Sequence, residues 1–183
     1  NWLSLTGTLQ YDILFIRIVS QEGCRVFNVG DRVVYPMHGA GVIEAIEEKE
    51  VLGERQKYYI MRLPIGEMKV MIPTESVGGV GLREVINHED VLKVFEVLKE
   101  QKSKMSTNWN RRYRANLEKI RSGNIFEVAE VVRNLAQRER EKGLSTGERK
   151  MLDNARQILI SELVLAQGIR EDQANSILDE VLA

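Results

Sequence analysis

The sequence predicts an α+β chain of two parts: a small sheet or partly closed barrel over residues 27–86, then an all-helical part over 87–183. Three observations predict it. Short runs of β-branched, aromatic and apolar residues alternate with Gly- and Pro-bearing turns in the front half. Helix-capping residues recur through the rear half, each followed by apolar residues at helical spacing. Hydrophobic residues make up 43% and charged residues 29% of the 183 residues, enough apolar material to build a packed core.

In the front half the expected strands are Val33-Val34-Tyr35, Gly41-Val42-Ile43, Tyr58-Tyr59-Ile60-Met61 and Met68-Lys69-Val70-Met71-Ile72. Turn chemistry separates them at Pro36 to Gly41, Leu52-Gly53-Glu54, Pro64-Ile65-Gly66 and Gly78-Gly79-Val80-Gly81. Strands this short and this evenly spaced suit a strongly twisted sheet. Gly39 and Gly41 are expected at a bend or a close backbone approach.

In the rear half Asn87 is placed to cap a helix through Lys99, with Val91, Leu92, Val94, Phe95 and Leu98 at helical spacing. A polar connection follows to Ser106. Thr107 or Asn108 caps a second helix to Arg121, ended by Ser122-Gly123. Asn124 with Glu127 has the capping-box spacing and opens a third helix to about Lys142, where Gly143 stops it. Ser145 with Glu148 is a capping box for a fourth helix, ended by Gly168, and a fifth covers Glu171 to Leu182.

The remaining composition narrows the chemistry. A single cysteine, Cys24, excludes an internal disulfide and a thiolate metal cage, and the two histidines, His38 and His88, are far apart. A cytoplasmic protein without metal or cofactor is expected. No G-x-S-x-G elbow and no P-loop lysine motif is present, so catalysis is not expected; His38 reads as a turn residue.

Residues 1–26 do not match the rest. Leu9 to Val19 is apolar but interrupted by Asp12 and Arg17, and too short to span a bilayer. No basic segment precedes it, so neither a secretory signal nor an anchor is expected. The stretch reads either as an extra strand or arm, or as translated leader. In the second case Gln21-Glu22-Gly23 encodes a purine-rich ribosome-binding sequence and Val26 is the true start codon. An intact mass of the native protein decides between them.

Positive charge is concentrated in one place. Net charge is -1, yet Lys99 to Arg121 holds eight basic and two acidic side chains. Counterion release from phosphate is the force such a patch exploits. In its middle lies Asn108-Trp109-Asn110-Arg111-Arg112-Tyr113-Arg114. An apolar ring among cations can wedge against a base step while the cations hold phosphates. A tryptophan at a helix start also serves as a staple on its own helix, and charge runs are usually solvated faces. Pattern alone leaves these readings open. Tyr113 and Leu117 are expected to face the core, and the cations of Glu148-Arg149-Lys150 to face solvent.

Phe27-Asn28-Val29-Gly30-Asp31-Arg32-Val33-Val34-Tyr35-Pro36-Met37-His38-Gly39 resembles the opening of CarD-like regulators. Thr107 to Asn116 resembles their DNA-binding signature, and Gly143-Leu144-Ser145 with Glu148, then Arg156-Gln157-Ile158-Leu159, extend the likeness over residues 27–183. The first motif is shared with the polymerase-binding module of transcription-repair coupling factors. The resemblance implies a Tudor-like front domain docking on the β subunit of RNA polymerase. It implies a helical rear domain touching promoter DNA at the upstream bubble edge, with Trp109 wedged into the minor groove. Arg111, Arg112, Arg114 and Arg149 are the expected DNA-contacting cations, Arg114 and Arg149 through the backbone. The polymerase-contacting positions fall on Lys49 and Met71; Met71 stands where some relatives have arginine, and Lys69 is placed to substitute. The competing expectation is an RNA-binding or ribosome-associated β-barrel module.

Overall fold

The computed structural model describes residues 26–51, 53–66 and 68–183. The leader reading of the N-terminal stretch therefore lies, apart from Val26, outside the described residues.

The front half is a five-stranded antiparallel sheet. Its strands are β1 (Arg32–Tyr35), β2 (Gly39–Val51), β3 (Glu54–Arg62), β4 (Lys69–Pro73) and β5 (Arg83–Glu84), in the order β4-β3-β2-β1-β5. A short helix α1 (Val77–Val80) precedes β5. Alternation places Val33, Ile43, Tyr59, Met61 and Ile72 in one apolar core with Phe27, Leu63, Val77 and Leu82. The Phe27 N–H donates to the Tyr59 hydroxyl at 3.2 Å and folds the entering chain over this core.

Two features depart from expectation. The β2–β3 hairpin runs well beyond the apolar runs, pairing Glu47 with Tyr58, Lys49 with Gln56 and Glu50 with Arg55. Its outer part is charged and solvated, so backbone pairing rather than burial extends it. The Gly78-Gly79 stretch makes one helical turn rather than an open turn, because Val77 is buried and Gly81 closes the turn at φ 71°.

The rear half comprises α2 (His88–Lys99), α3 (Trp109–Arg121), α4 (Ile125–Lys142), α5 (Thr146–Gln167) and α6 (Glu171–Leu182). Asn87, Asn108, Asn124 and Ser145 each cap with a side-chain oxygen accepting a first-turn N–H. The core gathers Val94, Leu98, Ile120, Val132, Leu135, Leu159 and Leu178. No described helix is long and apolar enough to cross a membrane.

The connection between α2 and α3 is strapped to α4. Arg133, almost fully buried, donates to Val97 O, Glu100 Oε2 and Ser103 Oγ at 2.7–2.9 Å. Ser103 N donates to Asn134 Oδ1 at 2.9 Å, and Lys102 N to Gln137 Oε1 at 3.0 Å. This path delivers the chain to the start of α3.

The sheet and the bundle share a joint built on α5. Ala40 N donates to Ser161 Oγ at 2.8 Å, and Arg32 donates to Leu165 O at 2.6 Å. Gly39, at φ 98°, lies so close that a β-carbon there would sit 2.5 Å from Ser161 Oγ. Only glycine fits both the backbone angle and the space. Arg83 donates through both terminal nitrogens to Glu162 and through Nε to Gly123 O.

Candidate nucleic-acid and protein interfaces

Asn108 starts α3 by accepting the Arg111 N–H at 3.1 Å. This puts Trp109 on the first helical residue, 43% exposed. Its ring stacks on Tyr113, one turn on, with centroids 5.1 Å apart and planes at 25°. Its Nε1–H donates to Ser145 Oγ, the cap of α5, at 3.0 Å. The N-termini of α3 and α5 therefore adjoin, and a β-carbon at Gly147 would lie 3.6 Å from both rings.

Beneath the indole lies a buried ion pair. Glu148, 2% exposed, accepts from Arg112 Nε at 2.7 Å, from Ser145 N at 3.2 Å and from Ser145 Oγ at 2.9 Å. Burial pushes the Glu148 carboxyl up, but Arg112 and Ser145 outweigh it and hold the group below the ordinary carboxylate range. Arg138 adds a second guanidinium 3.6 Å from the same oxygen.

This corrects the expectation for Arg112. It is 3% exposed, its Nε on Glu148 and its NH1 on the Ser106 and Thr107 carbonyls, so it does not reach a DNA phosphate from this position. The three arginines Arg111, Arg112 and Arg114 divide by helical phase. Arg111 and Arg114 are exposed and, among the described residues, form no ion pair. Arg111 and Arg114 stand about 160° and about 140° round the helix from Trp109 at 100° per residue, so both leave α3 on the side away from the ring. Lys102 and Lys119 are engaged by Glu141 and Glu130, which narrows the free positive patch. Arg149 lies in the first turn of α5, beside the indole's partner Ser145; it is 62% exposed and 3.4 Å from Glu139.

The second set of expected residues lies on the sheet. Lys49 of β2 reaches across β3, its Nζ 3.6 Å from Met71 Sδ and 3.0 Å from Glu47. Lys69 and Met71 are both exposed on β4, two residues apart and so on one face. Lys69 is held 2.8 Å from Glu44, which also takes Arg62 at 2.5 Å. β4 is an edge strand, with β3 on one side only.

Ser145, Glu148 and Arg138 were not anticipated at the indole. The Ser145/Glu148 spacing was legible as a helix cap; that the same hydroxyl also holds a ring 36 residues earlier in the chain depends on tertiary folding.

A Tudor-like sheet joined to a helical bundle, with an exposed tryptophan pinned beside two helix starts, is a two-part α+β architecture. Two family models divide the chain: the CarD-like/TRCF RID domain matches residues 27–86, and the CarD C-terminal domain matches 93–179. YdeB of Bacillus subtilis (strain 168), a candidate transcription factor by its name, is 46% identical over 151 residues, covering 82% of this chain and 99% of YdeB. The chain belongs to the CarD family. A solved structure, CdnLNt from Myxococcus xanthus, is 44% identical over 39% of this chain and all of its own length; its TM-score of 0.31 adds nothing to the fold assignment.

Proposed function

We propose that this chain is a transcription regulator that grips the β subunit of RNA polymerase with its sheet, residues 27–86, and stabilises the promoter open complex with its helical part, residues 87–183. The family models and the YdeB relative support the regulatory role, and the RID likeness supports the polymerase partner. The edge strand β4, with Met71 and Lys69 on its exposed face and Lys49 beside Met71, is suited to pair with a polymerase strand by β-augmentation. The protein then acts in the cytoplasm, on polymerase-bound promoters.

The observation that carries the DNA reading is the state of Trp109. Its one polar group is already bonded to Ser145, while 43% of the residue stays exposed. An indole so held offers an apolar edge without hydrogen-bond demand, which suits a wedge at a base step and not base reading. Arg149, exposed in the first turn of α5 next to Ser145, supplies the phosphate contact nearest the ring, and Arg111 and Arg114 add positive charge from the far side of α3. Unstacking a step costs roughly a few kcal/mol, so the wedge favours DNA already distorted at a bubble edge. A few cations alone bind free DNA weakly, with dissociation constants of roughly 10⁻⁴ to 10⁻⁶ M, and tethering to polymerase raises the local DNA concentration.

The test is Trp109→Ala in the full chain. Open-complex lifetime shortens while polymerase pull-down stays at the native level. An unchanged lifetime removes the wedge, and stronger retention on ribosomes than on polymerase would favour the RNA-binding alternative.

A further inference from the structure

We infer that Ser145, oriented by Glu148, is a positioning residue for Trp109: its hydroxyl grips the indole N–H and sets the angle at which the ring's open edge leaves the protein.

Protons and lone pairs dictate how the three groups bond. Indole Nε1 only donates, and a serine hydroxyl has one proton and two lone pairs. An ionised carboxylate only accepts. Ser145 must therefore send its single proton to Glu148 Oε2, 2.9 Å away. Its lone pairs are left for the Glu148 N–H at 3.3 Å and the Trp109 Nε1–H at 3.0 Å. The hydroxyl has no second orientation that keeps all three bonds.

Glu148 is itself fixed. Its other oxygen takes Arg112 Nε at 2.7 Å. Arg112 in turn donates to the carbonyls of Ser106 at 2.8 Å and Thr107 at 3.3 Å, just ahead of the tryptophan. The bonds form a closed circuit: backbone before Trp109, Arg112, Glu148, Ser145, and back to the indole. The stack on Tyr113 fixes one face of the ring but leaves it free to slide in its own plane; the bond to Ser145 removes that freedom. Ordering a large exposed side chain before contact lowers the entropy lost on contact.

The functional half of this inference rests on the open-complex reading above; the geometric half stands alone. The experiment uses the full chain with Ser145→Gly, because glycine is itself an accepted helix cap. The exchange of the Trp109 indole proton with solvent is followed by nitrogen-resolved NMR, which separates it from Trp2. Open-complex lifetime is measured alongside, with Trp109→Ala as the reference. Loss of one hydrogen bond of ordinary net strength speeds exchange by roughly two- to tenfold. Lifetime falls toward that of Trp109→Ala, and Ser145→Thr, which keeps the hydroxyl, restores both. Unchanged indole exchange in Ser145→Gly overturns the inference. Faster exchange with a native lifetime, where Trp109→Ala shortens it, overturns the functional half alone. A native lifetime in Trp109→Ala removes the open-complex reading, and the exchange rate then decides the pinning by itself.

Discussion

Glu162 on α5 is wholly buried and receives Arg83 through two parallel bonds of 2.6 and 2.8 Å, while Ile86 N donates to the same carboxylate at 3.1 Å. Arg83 belongs to the last strand of the sheet and Glu162 to the central helix of the bundle, so this pair locks one part to the other. A buried carboxylate left without its cation is strongly unfavourable.

Arg83→Ala is therefore expected to lower stability by about 3–5 kcal/mol, the range for breaking a buried pair from one side. Urea unfolding followed by circular dichroism measures it. Small-angle scattering on the variant should show a more extended particle; native stability together with native dimensions would mean that the apolar contacts alone hold the joint.

The arginines of α3 should separate by assay. Arg111→Ala and Arg114→Ala each reduce the salt dependence of DNA binding by about one phosphate contact, a slope change near 1. Arg112→Met leaves that slope unchanged and instead destabilises the fold, because the guanidinium serves Glu148. Equal slope changes from all three would contradict the buried placement.

Charge reversal on the sheet tests the proposed polymerase face. Lys49 is the one cation among Glu47, Glu48 and Glu50, and it stands against Met71. Lys49→Glu should weaken polymerase association, mostly through a slower on-rate that is sensitive to salt. Surface plasmon resonance against the isolated β lobe measures it, and native binding would place the docking face elsewhere.

Acid should loosen the indole site. Glu148 is pushed up by burial but held down overall by Arg112 and Ser145, and Glu130 is likewise raised by burial and lowered by Lys119. A carboxyl depressed in the fold binds fewer protons there than in the open chain. Its contribution is present above its ordinary value of 4.5 and lost as pH falls through the depressed value. Urea midpoints between neutral and acid pH should fall in that window, and Glu148→Gln should flatten the fall; an equally steep decline in the variant would assign it to other carboxyls.

The helices were legible because their ends are written locally. Asn87, Asn108, Asn124 and Ser145 cap where their side chains predict, and Gly143 and Gly168 stop the chain at positive φ. The long hairpin was less legible: Glu47 to Lys57 carries little apolar alternation, and its strands exist through pairing with each other. Trp109 was legible as a ring outside the core because it stood at a helix start among polar and basic residues rather than in an apolar stripe. The division of Arg111, Arg112 and Arg114 was not, since three like residues differ only in helical phase and in a carboxylate 36 residues away. The same distance hid the second role of Ser145.

Helix α5 carries two buried carboxylates, Glu148 near its start and Glu162 toward its end. At 1.5 Å per residue they stand about 21 Å apart on one unbroken rod, nearly in phase. The helix thus works as a gauge between the pinned indole and the seam with the sheet. One residue inserted between them would lengthen the rod by only about 1.5 Å but turn one end against the other by about 100°. The indole would then point in a new direction relative to the sheet, and the buried face of α5 between the two carboxylates would lose its register with the bundle.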